Sequence, residues 1–413
     1  MKLERLVVTL LSLSTVQCLW YYDVYYKWKT IEYNIPPYVQ LNSSAYEPRN
    51  NIISQVKIYE NRMWITTPSY LRGVPVTLST LPYNPKYHWW TPFFTLHDQS
   101  PKLQPFPSYE MNKMGDCNAL QLVSAIEIDQ FGRLWVIDVG RVYLLEQYEM
   151  SGTALNLCPA KLMIFDVRSG RSKLLSTYTF PDDVAPSSSS FLKGLQLACE
   201  TRDDCWAFIP DSNLTRIVVY DHKNRQSWTA EHPSMKPDPY KIHFLVNGVP
   251  VVTALGINSI ALAPKKYDFS ELYFSPLAST TLYKIQTECL KNSALKQNGT
   301  LRMDDVIDLG EIPGQSDGFA MSSKGELFYG NLPDNSILST DTSPELTEID
   351  EQKTVARSDI DFLWPDGFGF DGKGKLAVTT TKFHLRQRTD PEDYNFRVVI
   401  LRHTGHVYSY NHC

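Results

Sequence analysis

Three aspartates in this chain stand at positions where an acid could do chemistry. Asp138 ends an apolar run, and Asp317 and Asp366 are each followed directly by glycine. An ionised carboxylate binds an ammonium group strongly. It also caps tight turns, because an Asp side chain accepts hydrogen bonds from nearby backbone amides. The sequence leaves both roles open for Asp317 and Asp366, and for Asp138 it favours a structural role.

The chain shows none of the usual motifs for metal binding or for nucleophilic catalysis. Its nine histidines have no His-Glu-x-x-His spacing, and His232, which precedes Pro233, is interpreted as a loop residue. No Cys-x-x-Cys pair or Gly-x-Ser-x-Gly elbow occurs. We therefore expect no metal site and no cofactor.

Composition points to a large β-rich protein. The chain has 413 residues, of which 43% are hydrophobic, and it contains 24 Tyr, 18 Phe and 9 Trp. Aromatic residues favour strands. The formal net charge of -5 gives no basic surface for phosphates, so we expect no nucleic-acid partner.

Residues 1–18 have the pattern of a signal peptide. Lys2 and Arg5 form a basic start, and an apolar run from Leu6 to Val16 follows. That run is shorter than the ~20 residues that a membrane span needs, and Cys18 offers a cleavage point just after it. No other run approaches membrane length. The sequence therefore predicts a secreted, extracellular protein with no membrane partner.

The cysteines and glycosylation sequons agree with export. Removing Cys18 leaves an even number of cysteines, as is usual in an oxidising compartment. Their pairing is not fixed by sequence alone. The six are Cys117, Cys158, Cys199, Cys205, Cys289 and Cys413. Three Asn-x-Ser/Thr sequons, at Asn42, Asn213 and Asn298, predict a glycoprotein.

A turn followed by an apolar strand recurs along the whole chain after residue 18. The clearest copy is Gly132–Gly140, and successive copies are separated by roughly 50 to 70 residues. The equivalent positions are Met63, Leu134, Trp206, Leu272, Leu327 and Leu376. A second recurrent strand follows several copies, as in Lys161–Asp166 and Arg216–Asp221. Six such units predict an all-β fold, a six-bladed β-propeller, forming one domain over residues 19–413.

Several of these segments resemble the yellow / major royal jelly protein family of insects. The resemblance runs through nearly all of the chain after residue 18. Its main segments are Gly132–Gly140, Cys158–Asp166, Ile217–Asp221, Leu272–Tyr283, Trp364–Gly367 and Asn395–Arg397. It implies a secreted six-bladed propeller.

The resemblance leaves three functions open. One is a non-enzymatic extracellular protein that acts in pigmentation or hardening of cuticle or eggshell, with extracellular-matrix partners. Another is a binder of small aromatic amines or catechols, such as serotonin or dopamine. The third is a melanin-pathway enzyme that converts dopachrome by a proton shift, an isomerase or tautomerase type of reaction.

The resemblance also directs attention to the end of the central channel. In the amine-binding relatives a Phe near the last inner strands belongs to the pocket, and Phe383 matches it. Their nearby Asn falls at Thr381, and a pocket Thr falls near Asp366. We therefore expect ligand binding by Asp366, Phe383 and Thr381, with Asp138 as a further candidate. A phenyl ring at Phe383 equally fits a core position.

Similar proteins join cysteines at the positions of Cys117 and Cys158, so the resemblance predicts that disulfide. Cys199 and Cys205 flank a short polar turn and could close a hairpin loop. The remaining pair would join Cys289 to Cys413. The family often has a further cysteine just before the Arg133–Trp135 segment, which this chain lacks.

An enzyme of the dopachrome-converting type would need a general base near the channel. Asp366, Asp138 or a histidine could serve, and no motif selects among them. A metal-dependent lactonase is a further possibility for a six-bladed propeller. The segment Tyr273–Pro276 lacks the acid that such enzymes carry there, which counts against it.

Export makes a direct prediction about the mature chain. We expect the secreted protein to begin at Leu19 and to carry N-linked glycan on Asn42, Asn213 and Asn298. N-terminal sequencing and the mass change after enzymatic removal of N-glycans check both points. An intact Met1 on the secreted protein would contradict the signal-peptide interpretation.

Overall fold

The protein is an all-β, six-bladed propeller, as the sequence predicts. The computed structural model describes residues 20–42, 45–84, 99–146, 153–265, 270–292, 294–342, 346–349 and 351–403. Within these residues six four-stranded antiparallel sheets succeed one another around a central channel, and neighbouring first strands contact each other. No helix in the described part of the chain has the length and apolar character to cross a membrane. The proposed signal peptide, residues 1–18, lies outside the described residues.

The strands follow one order in every blade, from the channel outward. The first described strand is β1 Trp20–Trp28. Blade one holds β2 Val56–Tyr59, β3 Arg62–Thr66, β4 Leu78–Pro82 and β5 Gln104–Pro105. Blade two holds β6 Val123–Ile128 and β7 Arg133–Asp138 and then, after a hairpin of β8 Arg141–Val142 and β9 Leu155–Asn156, β10 Lys161–Asp166 and β11 Lys173–Thr179. Blade three holds β12 Gln196–Cys199, β13 Cys205–Asp211, β14 Arg216–Asp221 and β15 Gln226–Glu231.

The second half repeats this order after a hairpin of β16 His243–Val246 and β17 Val249–Val252. Blade four holds β18 Ile257–Leu262, β19 Glu271–Pro276, β20 Thr281–Gln286 and β21 Val306–Glu311. Blade five holds β22 Phe319–Met321, β23 Glu326–Asn331, β24 Ser336–Asp341 and β25 Lys353–Arg357. Blade six holds β26 Pro365–Phe370, β27 Leu376–Thr381 and β28 Phe396–His403, and β1 completes it.

Helices are short and lie between strands. The two described α-helices are α1 Thr287–Lys291 and α2 Leu295–Asn298. The 3-10 turns are Pro48–Asn50, Glu110–Asn112, Arg168–Gly170, Pro233–Met235, Met303–Asp305, Leu332–Asp334 and Phe383–Arg388. Phe383, one of the expected site residues, therefore begins a 3-10 turn directly after blade six's second strand.

The recurrent motif of the sequence is the second strand of each blade. All six equivalent positions fall in β3, β7, β13, β19, β23 and β27. The further recurrent segments are third strands, for example β10 and β14. The motif is apolar throughout because both of its faces are covered. In β7, Leu134 and Val136 face blade one while Trp135 and Ile137 face blade three, and all four are buried.

Ring closure depends on the N-terminal strand. β1 pairs antiparallel with β28, so the beginning and the end of the described chain share blade six. Tyr25, Tyr26 and Trp28 are buried in the core between blades six and one. The indole N–H of Trp28 donates to the carbonyl oxygen of Pro101 at 2.8 Å, which ties the strand to blade one.

Two of the three expected disulfides are present. Cys117, which precedes β6, is bonded to Cys158, which precedes β10 of the same blade. Cys199 of β12 is bonded to Cys205 of β13. Cys289 forms no disulfide with a described cysteine. Its expected partner, Cys413, lies outside the described residues, so that pair stays a prediction. The three sequon asparagines are all exposed, as glycosylation requires, and their modification also stays a prediction.

Closure by β1 predicts a large cost for truncating its core aromatic. We expect Trp28→Ala to lower the free energy of unfolding by about 3–5 kcal/mol, because the substitution empties a cavity in the core between the first and last blades. Urea unfolding followed by tryptophan fluorescence measures it. Tyr240→Ala, at a side chain that is 91% exposed, is the control and should change stability by less than about 0.5 kcal/mol. Equal effects of the two substitutions would contradict a closing role for β1.

Candidate functional site

Polar side chains from five blades meet where the innermost strands begin. Ser54 and Gln55 precede β2, Lys193 precedes β12, and Asp317 precedes β22. Asn258 and Asp366 lie at the starts of β18 and β26. Because equivalent ends of these strands surround the same end of the channel, the six residues form one group. We call Lys193, Asp317 and Asp366 the channel ion cluster.

Lys193 is the centre of the channel ion cluster. Its Nζ lies 2.9 Å from Oδ1 of Asp366 and 3.8 Å from Oδ1 of Asp317. All three residues are less than a tenth exposed. A buried charge is tolerated only when it is paired and hydrogen bonded. One lysine between two carboxylates meets that condition and leaves one negative charge in excess when both acids are ionised.

Neutral donors complete the shells of the two carboxylates. Asp366 accepts from the hydroxyl of Ser54 at 2.5 Å and from Nε2 of Gln55 at 3.1 Å. Asp317 accepts from Nδ2 of Asn258 and from the indole N–H of Trp364, both at 2.7 Å. The acids are therefore fixed in place by donors that carry no charge.

Burial and charge act on the cluster in opposite directions. Burial raises the pKa of the Asp317 carboxyl to about 6, with the Asp366 charge adding to the rise and Lys193 opposing it. Burial disfavours the ammonium of Lys193, but its two carboxylate neighbours outweigh burial and raise its pKa. Lys193 thus stays charged while Asp317 exchanges a proton near neutral pH.

An aromatic wall stands beside the cluster. Trp364, which donates to Asp317, has its ring centroid 5.0 Å from that of Phe383 and 6.3 Å from that of His384, whose ring is nearly parallel to it. Both ring nitrogens of His384 are buried without a hydrogen-bond partner among the described residues. Burial, with Lys382 and Arg386 nearby, lowers the pKa of His384 to about 4, so its imidazole is neutral at physiological pH.

The glycines after the two acids serve close approach between blades. A Cβ at Gly318 would lie 1.9 Å from the backbone oxygen of Asp366, and one at Gly367 would lie 2.3 Å from that of Ser54. Asp366 itself lies inside strand β26 and not in a turn. The turn-capping alternative for Asp366 is therefore wrong. Glycine is needed there because neighbouring inner strands touch at the channel end.

Two expected site residues have structural partners. Asp138 is fully buried, accepts from the backbone N–H groups of Gln121, Leu122 and Gly140, and lies 2.8 Å from Nζ of Lys161. These contacts match the structural role that the sequence favours. The hydroxyl oxygen of Thr381 accepts from the N–H of Phe383 at 3.1 Å, so it shapes the turn that carries the ring. A ligand-binding role for either residue stays a prediction.

The structure brings Asp366 and Phe383 to the same end of the channel and joins Asp317 to them through Trp364. Sequence reasoning missed Lys193, Ser54 and Asn258. Lys193 stands between Leu192 and Gly194 just before an inner strand, and that position relative to the repeat is the signal that could have identified it. No motif in the sequence distinguishes His384 from the other histidines.

This fold and this channel end define a class: a six-bladed propeller with a buried ion cluster at the start of its inner strands. The major royal jelly protein family model matches residues 122–407. The chain belongs to that family.

The named relatives share about a quarter of their aligned residues with this chain. A Drosophila melanogaster dopaminechrome tautomerase is 26% identical over 339 residues, covering 79% of this chain and 68% of that protein. Protein yellow of Drosophila melanogaster is 27% identical over 411 residues, covering 95% of this chain and 71% of that protein. Among solved structures, a luciferin-regenerating enzyme covers 88% of this chain and 93% of its own, at 11% identity and a TM-score of 0.46.

The raised pKa of Asp317 predicts a pH-dependent stability. Because the folded protein favours the protonated carboxyl, this contribution is complete below about pH 4 and is lost as the pH rises through about 6. We expect the unfolding free energy of the wild type minus that of Asp317→Asn to fall by on the order of 1–3 kcal/mol between pH 4 and pH 7. Urea unfolding at four pH values measures the difference. A difference that is constant with pH would contradict the assignment.

Proposed function

We propose that this protein acts in pigmentation as a tautomerase of catechol-derived aminochromes, with the channel ion cluster as its proton-transfer site. The observation that carries the proposal is the buried cluster in which Lys193 lies between Asp317 and Asp366. Burial raises the pKa of the Asp317 carboxyl to about 6, and the two carboxylates raise the pKa of Lys193. A dopaminechrome tautomerase and protein yellow are among the relatives, which supports this substrate class. We further propose that the chain is secreted and works in cuticle or eggshell.

The reaction class sets two requirements. A tautomerase moves a proton from carbon to a heteroatom within one substrate, so it needs a proton acceptor near its working pH. It also needs a fixed cation for the oxygen that gains negative charge. Asp317 supplies the acceptor, and Lys193 supplies the cation. Asp366 holds the ammonium of Lys193 in position at 2.9 Å.

The aromatic wall fits a planar ring substrate. Phe383 and Trp364 place two aromatic rings beside the cluster, and aromatic rings favour stacked or edge contacts with one another. The neutral imidazole of His384 lies on the same wall, and among the described residues neither of its nitrogens has a partner, so it can exchange a hydrogen bond with a catechol hydroxyl. Trp364 donates a hydrogen bond to Asp317 and stacks on His384, so the acid lies next to the aromatic rings.

Activity measurements on four variants test the proposal. We expect dopaminechrome decay to exceed that of a heat-inactivated control and to fall about 100-fold or more in Asp317→Asn, because the proton acceptor is lost. Lys193→Met and Asp366→Asn should also lose most activity. The matched control is Asp221→Asn, at a buried acid that caps a turn in blade three and should keep activity within about twofold. Activity should rise as the pH passes through about 6. Unaccelerated decay with the folded wild type would refute the enzyme proposal.

Binding of an aromatic amine is a second candidate function. With both acids ionised the cluster carries one excess negative charge, and the aromatic wall offers faces that attract cations. We expect serotonin or dopamine to raise the melting temperature, with the shift lost in Asp366→Asn and in Phe383→Ala but kept in Asp221→Asn. Calorimetric titration above and below pH 6 should show tighter binding at the higher pH, because Asp317 is then ionised. Binding without dopaminechrome conversion would favour this function over the first.

A further inference from the structure

The far end of the channel holds a second group of reactive side chains. A groove of about 510 Å³ opens where the inner strands end, at Cys199 of β12, Leu262 of β18 and Met321 of β22. Trp206 and Lys291 also line it. The channel ion cluster lies at the starts of these strands, so the groove is a separate site. Its chemically distinctive element is the Cys199–Cys205 disulfide.

The two sulfurs of this disulfide have different surroundings. Cys199 is partly exposed and lines the groove, whereas Cys205 is fully buried. Nη2 of Arg133 lies 3.0 Å from Sγ of Cys205, and Nε of the same guanidinium donates to Asp129 at 2.6 Å. The carbonyl oxygen of Thr201 also lies 3.3 Å from Sγ of Cys205. The guanidinium N–H directed at Sγ of Cys205 favours the thiolate of that sulfur, and the Asp129 carboxylate and the Thr201 carbonyl oxygen weaken this effect.

A purely structural role explains this disulfide poorly. Cys199 and Cys205 are directly paired in adjacent antiparallel strands whose register continues to Gln196 and Phe208. The backbone ladder already holds these residues together. A disulfide gains least from chain entropy when its loop is short, and this loop spans six residues. Asp129 and both sulfurs lie within 4.8 Å of one another, but the sulfurs are bonded to each other and offer no metal site.

We propose that Cys199–Cys205 is a thiol–disulfide exchange site that accepts electrons from thiols entering the groove. A substrate thiolate attacks Sγ of Cys199, the bond between Cys199 and Cys205 breaks, and its electron pair remains on Sγ of Cys205 beside Arg133. The substrate is then joined to Cys199 as a mixed disulfide. A second substrate thiolate attacks the substrate sulfur and releases the oxidised substrate disulfide. Cys199 and Cys205 end as a dithiol with the two protons that the thiols gave up.

The arrangement selects which sulfur is attacked. An exchange reaction is faster when the leaving thiolate is the more stable one and the attacked sulfur is accessible. Cys199 is the accessible sulfur, and Arg133 stabilises Cys205 as the leaving group. The Cys117–Cys158 disulfide of the same chain lacks this combination. Cys117 is exposed, but among the described residues no cationic side chain donates to Sγ of Cys117 or of Cys158.

Timed reduction of the native protein by glutathione tests the proposal, with Cys117–Cys158 as the internal control. Samples are quenched with an alkylating agent, and each cysteine is followed by peptide mass spectrometry. We expect Cys199–Cys205 to open about tenfold faster than Cys117–Cys158, although Cys117 is the exposed residue, and the first glutathione adduct to form on Cys199. Faster opening of Cys117–Cys158, or an adduct mainly on Cys205, would overturn the proposal.

Substitution of Arg133 gives a second measurement. Arg133→Gln should slow the opening of Cys199–Cys205 and leave the Cys117–Cys158 rate unchanged, while Arg133→Lys should retain part of the effect because it keeps a positive charge. Equal rates in all three proteins would show that Arg133 does not stabilise the leaving sulfur. If the variants do not fold, the comparison of the two disulfides in the wild type decides the question.

Discussion

Closure of the ring is the constraint on which the rest of this structure depends. Each blade is a sheet with two apolar faces, and only a neighbouring blade covers each face. Blade six has no fourth strand of its own, so β1 supplies it and pairs with β28 from Trp20 to Trp28. The core between blades six and one, with Tyr25, Tyr26 and Val398, forms only when the two ends of the described chain meet. A propeller that opens at one interface exposes two apolar faces at once.

The channel ion cluster inherits its geometry from that closure. Lys193 comes from blade three and Asp366 from blade six, and Ser54 of blade one donates to Asp366. Removing one member of a buried ion group costs about 3–5 kcal/mol, whereas replacing the whole group by apolar side chains is often neutral. The presence of a buried ion group of this kind is therefore weak evidence that the group stabilises the fold. Its position at the end of the channel, with an acid that titrates near neutral pH, fits a functional role better.

More of the fold than of the candidate site could be predicted from the sequence. The repeated second strands, such as β7, predicted six blades, because a strand that is covered on both faces must be apolar throughout. The Cys199–Cys205 disulfide could be predicted because the two cysteines flank a single turn. The role of Lys193 could not be predicted, since it lies 173 residues from Asp366 and 124 residues from Asp317 in the chain. Its isolated charge resembles that of any surface lysine until the ring brings the blades together. The Asp-Gly pairs were ambiguous for a related reason, because close packing between blades and tight turns both select glycine.

One inner strand, β12, connects the two ends of the channel. Lys193 precedes it and Cys199 ends it, so the two residues are separated by about 20 Å of extended chain at roughly 3.3 Å per residue. A small ring compound bound against Lys193 cannot reach the sulfurs, and a thiol in the groove cannot reach Asp317. The two proposed chemistries are therefore spatially independent. They are nevertheless held by the same strand, whose pairing with β13 fixes Cys199 opposite Cys205. Backbone hydrogen bonding to β13 thus holds both residues, because the N–H of Lys193 donates to the carbonyl oxygen of Pro210 and Cys199 pairs with Cys205.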